Sequence, residues 1–347
     1  MAHLAAHYTA AGKRVGLVTN DQAEGLVDTR ILASAGYSVG EVAGACFCCK
    51  FDDLVDVAAT LIDDEPLDIL LAEPVGSCTD LVATVLEPLR QLHGKDYAIG
   101  PLTVLLKPEH GQKILRAEEG VGFSPKAAYI FLKQIEEADI VVVNKADKLS
   151  PQEQTELVGL LETRFPEKKV LLTSLRTGFG LDRLTAALET VPHQSLPLEI
   201  DYDTYARGEA ELGWLNAEAQ LEGCDLSLDD LAHQVVAGLG DKLTAAGLEA
   251  VHLKVLCEGD EGFAVANLVS SREPTELSQS CQQITQRANL IINARVAADP
   301  AMLSELTDRT LEEIAVLYAA KLKKGKRTHF RPGRPEPTHR LAQSPSP

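Results

Sequence analysis

The chain has 347 residues, 45% of them apolar, and a formal net charge of −18. That is length enough for two hydrophobic cores, and the acidic balance argues against general nucleic-acid binding, which needs cationic surface to neutralise phosphates. With no run of about 18 apolar residues and no basic, apolar leader, neither a membrane span nor a signal peptide is predicted. The cytoplasm is therefore the expected compartment. Seven cysteines, odd in number and unevenly spaced, fit it better than a secreted disulfide framework would.

In chain order, RVGLVTN (14–20) reads as a buried strand and LDILLAE (67–73) as another, with helical stretches at Asp52 to Ile62 and Asp80 to Leu92. PLTVLLK (101–107), DIVVVNK (139–145) and KKVLLTS (168–174) repeat the strand form. Between the first two lies a helix over Pro125 to Glu137, with Ser124 as its N-cap. Continuous apolar strands alternating with helices predict an α/β fold, a doubly wound and mostly parallel sheet covered on both faces. After a Pro-containing linker at 191–203, strands joined by short turns predict antiparallel pairing and a second, smaller α+β domain. The expected boundaries are 1–192 for the first domain and 200–322 for the second. From Lys321 onward eight Lys or Arg face only Glu336, so residues 323–347 read as a disordered basic tail.

Three thiols crowd the stretch GACFCCK at residues 44–50. Cys46, Cys48 and Cys49 make poor core filler, since adjacent residues cannot both bury on one face. A vicinal disulfide would be strained. As ligands at i, i+2 and i+3 they can converge on one soft or borderline ion, with a fourth position left open. Zinc, cobalt, nickel and copper(I) all suit such a donor set. Redox use remains an alternative. Cys78, a single thiol beyond a strand, reads as packed, with a ligand role as the less favoured option.

The remaining candidates sit past the carboxyl ends of the parallel strands, where open α/β sheets place ligands. In VVVNKAD, Asp147 can accept two hydrogen bonds from a guanine base, Lys145 can lie along the base, and Asn144 can tie neighbouring loops. One strand later, Ser174, Leu175 and Arg176 can offer backbone N–H groups to the guanine oxygen. In LLAEPVGSC, Glu73 can reach a magnesium ion or a water, and Gly76 lets the backbone swing with a terminal phosphate.

This order of elements resembles the CobW/HypB/UreG family of P-loop GTPases, most closely its CobW branch. The segment NDQAEGLVD supplies Asn20, Asp21, Glu24 and Asp28, followed by the Cys-x-Cys-Cys loop, the Glu-x-x-Gly strand end and the Asn-Lys-x-Asp strand end. The likeness covers about residues 10–190. It implies GTP or GDP and magnesium as ligands, with Glu73, Gly76 and Glu24 at the hydrolytic centre. Asn20, Asp21, Asn144, Lys145, Asp147, Ser174, Leu175 and Arg176 would lie around the nucleotide, and Cys46, Cys48 and Cys49 would hold a transition metal, zinc foremost, with cobalt or nickel as alternatives. It implies a GTP-dependent metallochaperone or metal-insertion factor serving a client metalloprotein or a metal-cofactor biosynthesis protein, as family members do for cobalamin synthesis, zinc supply and nitrile hydratase maturation. A homodimer sharing a metal is compatible with it. Two departures stand out. Ala45 replaces the Gly more usual before the first Cys, and no Gly-x-x-x-x-Gly-Lys-(Ser/Thr) phosphate loop precedes the first strand. The chain as written is therefore expected either to start downstream of that loop or to be a degenerate member, and to hydrolyse GTP poorly. The alternative from another class is a non-hydrolysing metal-binding or scaffold protein.

Overall fold

The computed structural model describes residues 1–22, 27–116, 124–268 and 274–341. The chain opens with α1 (Ala2–Ala10), β1 (Val15–Asp21), α2 (Val27–Ser34), β2 (Ser38–Ala43), α3 (Phe51–Asp64) and β3 (Ile69–Glu73). A π-helical turn (Val82–Leu86) then runs into α4 (Glu87–His93). Next come β4 (Thr103–Leu106), α5 (Pro108–Leu115), α6 (Pro125–Glu137), β5 (Ile140–Val143), α7 (Pro151–Arg164), β6 (Lys169–Leu172) and α8 (Leu181–Thr190). The last part holds α9 (Tyr202–Glu209), β7 (Gly213–Ser227), α10 (Leu228–Ala245), β8 (Ala250–Glu258), β9 (Phe263–Leu268), β10 (Glu276–Gln279), β11 (Ile284–Val296), α11 (Pro300–Leu317) and β12 (Lys321–Phe330). Among the described residues, no helix is long and apolar enough to cross a membrane.

Two compact units emerge. One comprises residues 1–20, 37–208 and 334–347, the other residues 21–36 and 209–333. In the first unit the strands form two groups of three, ordered β2-β1-β3 and β4-β5-β6. β1 runs parallel to β3 with Val15 opposite Ile69 and Thr19 opposite Glu73, and β5 lies parallel to both β4 and β6. β5 is buried at every position. Val141 and Val143 point into a core with Ile135, Leu157 and Leu161, while Ile140 and Val142 meet Leu184 and Ala187 on the other face. A strand covered by helices on both sides has no polar face to alternate, which is why its sequence is a continuous apolar run. The α/β fold with parallel sheets is thus present, and Ser124 caps α6 by accepting from the Ala127 N–H.

The second unit is a six-stranded antiparallel sheet ordered β10-β9-β8-β11-β7-β12. Leu253, Val255 and Cys257 of β8 and Leu290, Ile292 and Ala294 of β11 share one core with α10 and α11. The opposite face is covered in part by α2, whose Val27 packs with Leu256, Val265 and Ile291.

One expectation is corrected here. Residues 323–330 are not a disordered tail but most of β12, paired antiparallel to β7 with Leu322 opposite Leu221 and Phe330 opposite Trp214. The lysines that suggested disorder suit an exposed edge strand, where charge discourages further pairing. They are also partnered: Lys324 lies 3.0 Å from Asp308 and 2.9 Å from Glu312, and Arg327 pairs with Asp308. Past β12 the chain continues in a defined path through Leu341.

Candidate functional site

The thiol loop lies between β2 and α3, and a glycine opens it: Gly44 adopts φ 90°, the left-handed region that side chains disfavour. Backbone bonds from the N–H groups of Cys49 and Lys50 to the Cys46 carbonyl close a tight turn. This turn gathers the three sulfurs that the spacing brought near one another. The Sγ atoms of Cys46 and Cys48 lie 2.8 Å apart, those of Cys46 and Cys49 3.4 Å, and those of Cys48 and Cys49 3.7 Å. Cys46 and Cys48 are buried and Cys49 is partly exposed, and all three are free thiols. A tetrahedral zinc with bonds of about 2.3 Å needs sulfurs about 3.8 Å apart. The loop therefore has to spread by only about 1 Å or less at each pair to accept such an ion, so the donor set fits.

Proton sharing within the cluster is uneven. Side-chain contacts with Cys48, then Cys49 and Cys78, hold the Cys46 thiol below its ordinary range. The bond to Cys46 pushes Cys48 upward and raises Cys49 to about 11. The start of α3 immediately beyond the loop also favours a thiolate.

The loop is braced from β1. Asn20, 7% exposed, donates through Nδ2 to the carbonyls of Val42 and Ala45, both at 2.8 Å, and accepts the Phe47 N–H at 2.9 Å. Its amide, expected beside a nucleotide, is instead used on the thiol loop. Asp21 belongs to the second unit, where its carboxylate meets Arg295 at 2.6 Å; that guanidinium also stacks over Trp214, 3.8 Å from the ring centre. Asp28 pairs there with Lys254 at 2.6 Å. Glu24 lies outside the described residues.

Glu73 is exposed at the carboxyl end of β3. Just beyond it, the carbonyls of Gly76 and Cys78 both accept from Gln134 Nε2 of α6 at 2.9 Å, which fixes the turn between them. A side chain at Gly76 would meet nothing within 4 Å, so that point of the turn has open space around it.

The residues expected to read a guanine base converge as their strand ends require. Asn144 Oδ1 accepts the Leu175 N–H at 3.1 Å and the Thr173 hydroxyl at 3.2 Å, and the Ala146 N–H bonds the Thr173 carbonyl, locking the ends of β5 and β6 together. Lys145 sits in the left-handed region at φ 60°, strained backbone of the kind concentrated at functional turns. The Ser174 hydroxyl and the Arg176 guanidinium hold Asp147 below the usual carboxylate range, with Arg176 at 2.9 Å. The Arg176 side chain is 70% exposed, so an incoming ligand can displace it. Gly180, at φ 76°, completes the turn into α8, where an added Cβ would lie 2.4 Å from the Leu172 carbonyl.

Sequence reasoning passed over the tail. Residues 338–341 lie along this unit: Thr338 donates its N–H to the Cys48 carbonyl at 2.8 Å and its hydroxyl to the Cys49 carbonyl at 3.2 Å. His339 packs edge-on against Phe51, and Arg340 bonds Asp80 at 2.7 Å. No local pattern in a Pro-rich basic segment reports such contacts, because they depend on residues about 260 to 290 positions away.

Residues 1–171 match the CobW/HypB/UreG nucleotide-binding domain. No curated protein matches the chain. Among solved structures, the chain is similar to zinc(II)-bound YjiA GTPase from E. coli at 12% identity, over 81% of this chain and 93% of that one, with a TM-score of 0.29. A zinc(II)-bound triple mutant of YjiA GTPase gives 10% identity over 82% and 86%, with a TM-score of 0.33. The hydrogenase maturation factor HypB from Archaeoglobus fulgidus gives 15% identity over 54% and 80%, with a TM-score of 0.36.

Proposed function

Residues 1–171 belong to the CobW/HypB/UreG family of nucleotide-binding domains, and from that premise we propose that the protein is a metal carrier whose hold on its cargo is linked to a guanine nucleotide. The convergence of Cys46, Cys48 and Cys49, with their sulfurs all within 4.8 Å of one another, is the observation that carries this reading. Zinc is the foremost cargo on the chemistry of the donor set, with cobalt and nickel next. Asp147 would accept from the base, and Asn144 would keep the two base-reading loops in register. Glu73 would face a nucleotide-bound magnesium. A client metalloprotein or cofactor-building protein would receive the ion.

The physical link is differential binding: a nucleotide that contacts two arrangements of the Glu73–Gly76 turn unequally shifts their balance. Anaerobic titration of the full chain with zinc or cobalt tests the carrier function. The expected result is uptake of one ion per chain, lost when Cys46, Cys48 and Cys49 are all changed to Ser. Uptake that survives the triple change, or no stoichiometric uptake at all, overturns it.

A further inference from the structure

Resting on that reading, we propose that Cys78 is the fourth ligand, so that the chain holds its ion in a closed four-thiolate site. Cys78 is 2% exposed, and its side chain hydrogen-bonds that of Cys46. Burial alone would suit a packed cysteine; a sulfur beside Cys46, one member of the trio, is placed to complete a tetrahedral set once an ion draws the four together. Its position is fixed on both sides. The Cys78 N–H bonds the Val75 carbonyl at 2.8 Å, and the Cys78 carbonyl is held by Gln134. Two residues on, Asp80 is fully buried at φ 66°, gripped by the Tyr202 hydroxyl at 2.6 Å and by Arg340.

The same tail segment clasps both cysteine-bearing loops. Thr338 holds the carbonyls of Cys48 and Cys49, Arg340 holds Asp80, and the Leu341 N–H bonds the Ala83 carbonyl at 2.9 Å. Residues 338–341 thereby keep the loop of Cys78 against the loop of the other three thiols. This bears on how cargo leaves. Four thiolates close a zinc site, whereas three leave a place for an incoming ligand. Cys78 lies two residues past Gly76, so a displacement of that turn would remove one ligand of the four. An open position would then be available to a client's donor atom.

Zinc-edge X-ray absorption on the unaltered chain loaded with one zinc decides the matter, with Cys78→Ser as the partner sample and the metal-free denaturation midpoint as a check that the variant folds. Four sulfurs at about 2.3 Å in the unaltered chain, falling to three sulfurs and one lighter atom in Cys78→Ser with zinc affinity reduced more than about tenfold, is the expected result. Three sulfurs and one lighter atom in the unaltered chain, or four sulfurs persisting in Cys78→Ser, overturns the fourth ligand and leaves the three-thiol carrier standing. Zinc that is bound without any sulfur overturns both.

Discussion

Asn20 shows how much a single buried amide can govern. It satisfies two carbonyls and one N–H of the thiol loop, so Asn20→Ala takes that partner from two buried polar groups and one partly buried one. Each orphan costs about 1–3 kcal/mol when water cannot reach it, and partial relaxation brings the expected loss of folding stability to about 3 kcal/mol, measurable by urea denaturation. Zinc affinity is expected to fall about 10- to 100-fold, as when other supports of metal ligands are removed. Asn20→Asp keeps the acceptor for Phe47 but sets a carboxylate oxygen against the Val42 and Ala45 carbonyls and brings a negative charge toward the thiolates, so stability and affinity should both fall at least as far. Equal zinc binding in all three proteins would show that the loop keeps its shape without Asn20. The residue was legible in the sequence as part of a polar motif. Its role was not, because the groups it satisfies are 22 to 27 positions away and belong to the backbone, which carries no sequence signal.

At the scale of elements, legibility followed apolar composition. The strands β1, β3, β4, β5 and β6 announced themselves as apolar runs ending in polar turns. Short β2, edge strand β12 and the grouping of residues 21–36 with the second unit did not, because exposed strands and long-range packing leave no periodicity to read. The linker after α8 is another such case: it read as a passive Pro-containing connection, yet it is fastened to the residue just before β5. Asp139 accepts from His193 Nδ1 at 2.7 Å, from the Gln194 and Ser195 N–H groups at 2.9 and 2.8 Å, and from the Leu102 N–H at 2.8 Å. Burial alone would raise this carboxyl, but the bonds from His193, Gln194, Leu102 and Ser195 outweigh it and bring it from 3.8 to about 2. A carboxyl depressed in the folded state stabilises the fold above its unfolded value and loses that contribution as pH falls through the folded one. The stabilisation, about 2 kcal/mol, should therefore be complete above about pH 5 and disappear between about pH 4 and 2. Asp139→Asn is expected to be less stable than the unaltered chain by about that amount at pH 6, with the gap closing near pH 2. A gap that stays constant with pH would show that the loss comes from the altered hydrogen bonds rather than from ionisation.

For the whole molecule, the proposal that nucleotide and metal sense each other has a thermodynamic consequence that can be read without knowing the client. If a guanine nucleotide changes zinc affinity by some factor, zinc must change nucleotide affinity by the same factor, since both are routes around one cycle. Couplings of this kind typically amount to about 5- to 150-fold, so a non-hydrolysable GTP analogue is expected to shift the zinc dissociation constant by at least fivefold in a chelator competition, with magnesium present. The reciprocal measurement, analogue binding with and without zinc, should return the same number. Asp147 supplies the control. With Asn in its place the site donates where guanine also donates, so the coupling should be lost with the guanine analogue and return with its xanthine counterpart, while zinc binding in the absence of nucleotide stays unchanged. If both ligands bind the unaltered chain and neither constant moves, the sulfur cluster and the base-reading loops act independently, and the chain is a metal binder on a nucleotide-binding scaffold rather than a nucleotide-controlled carrier.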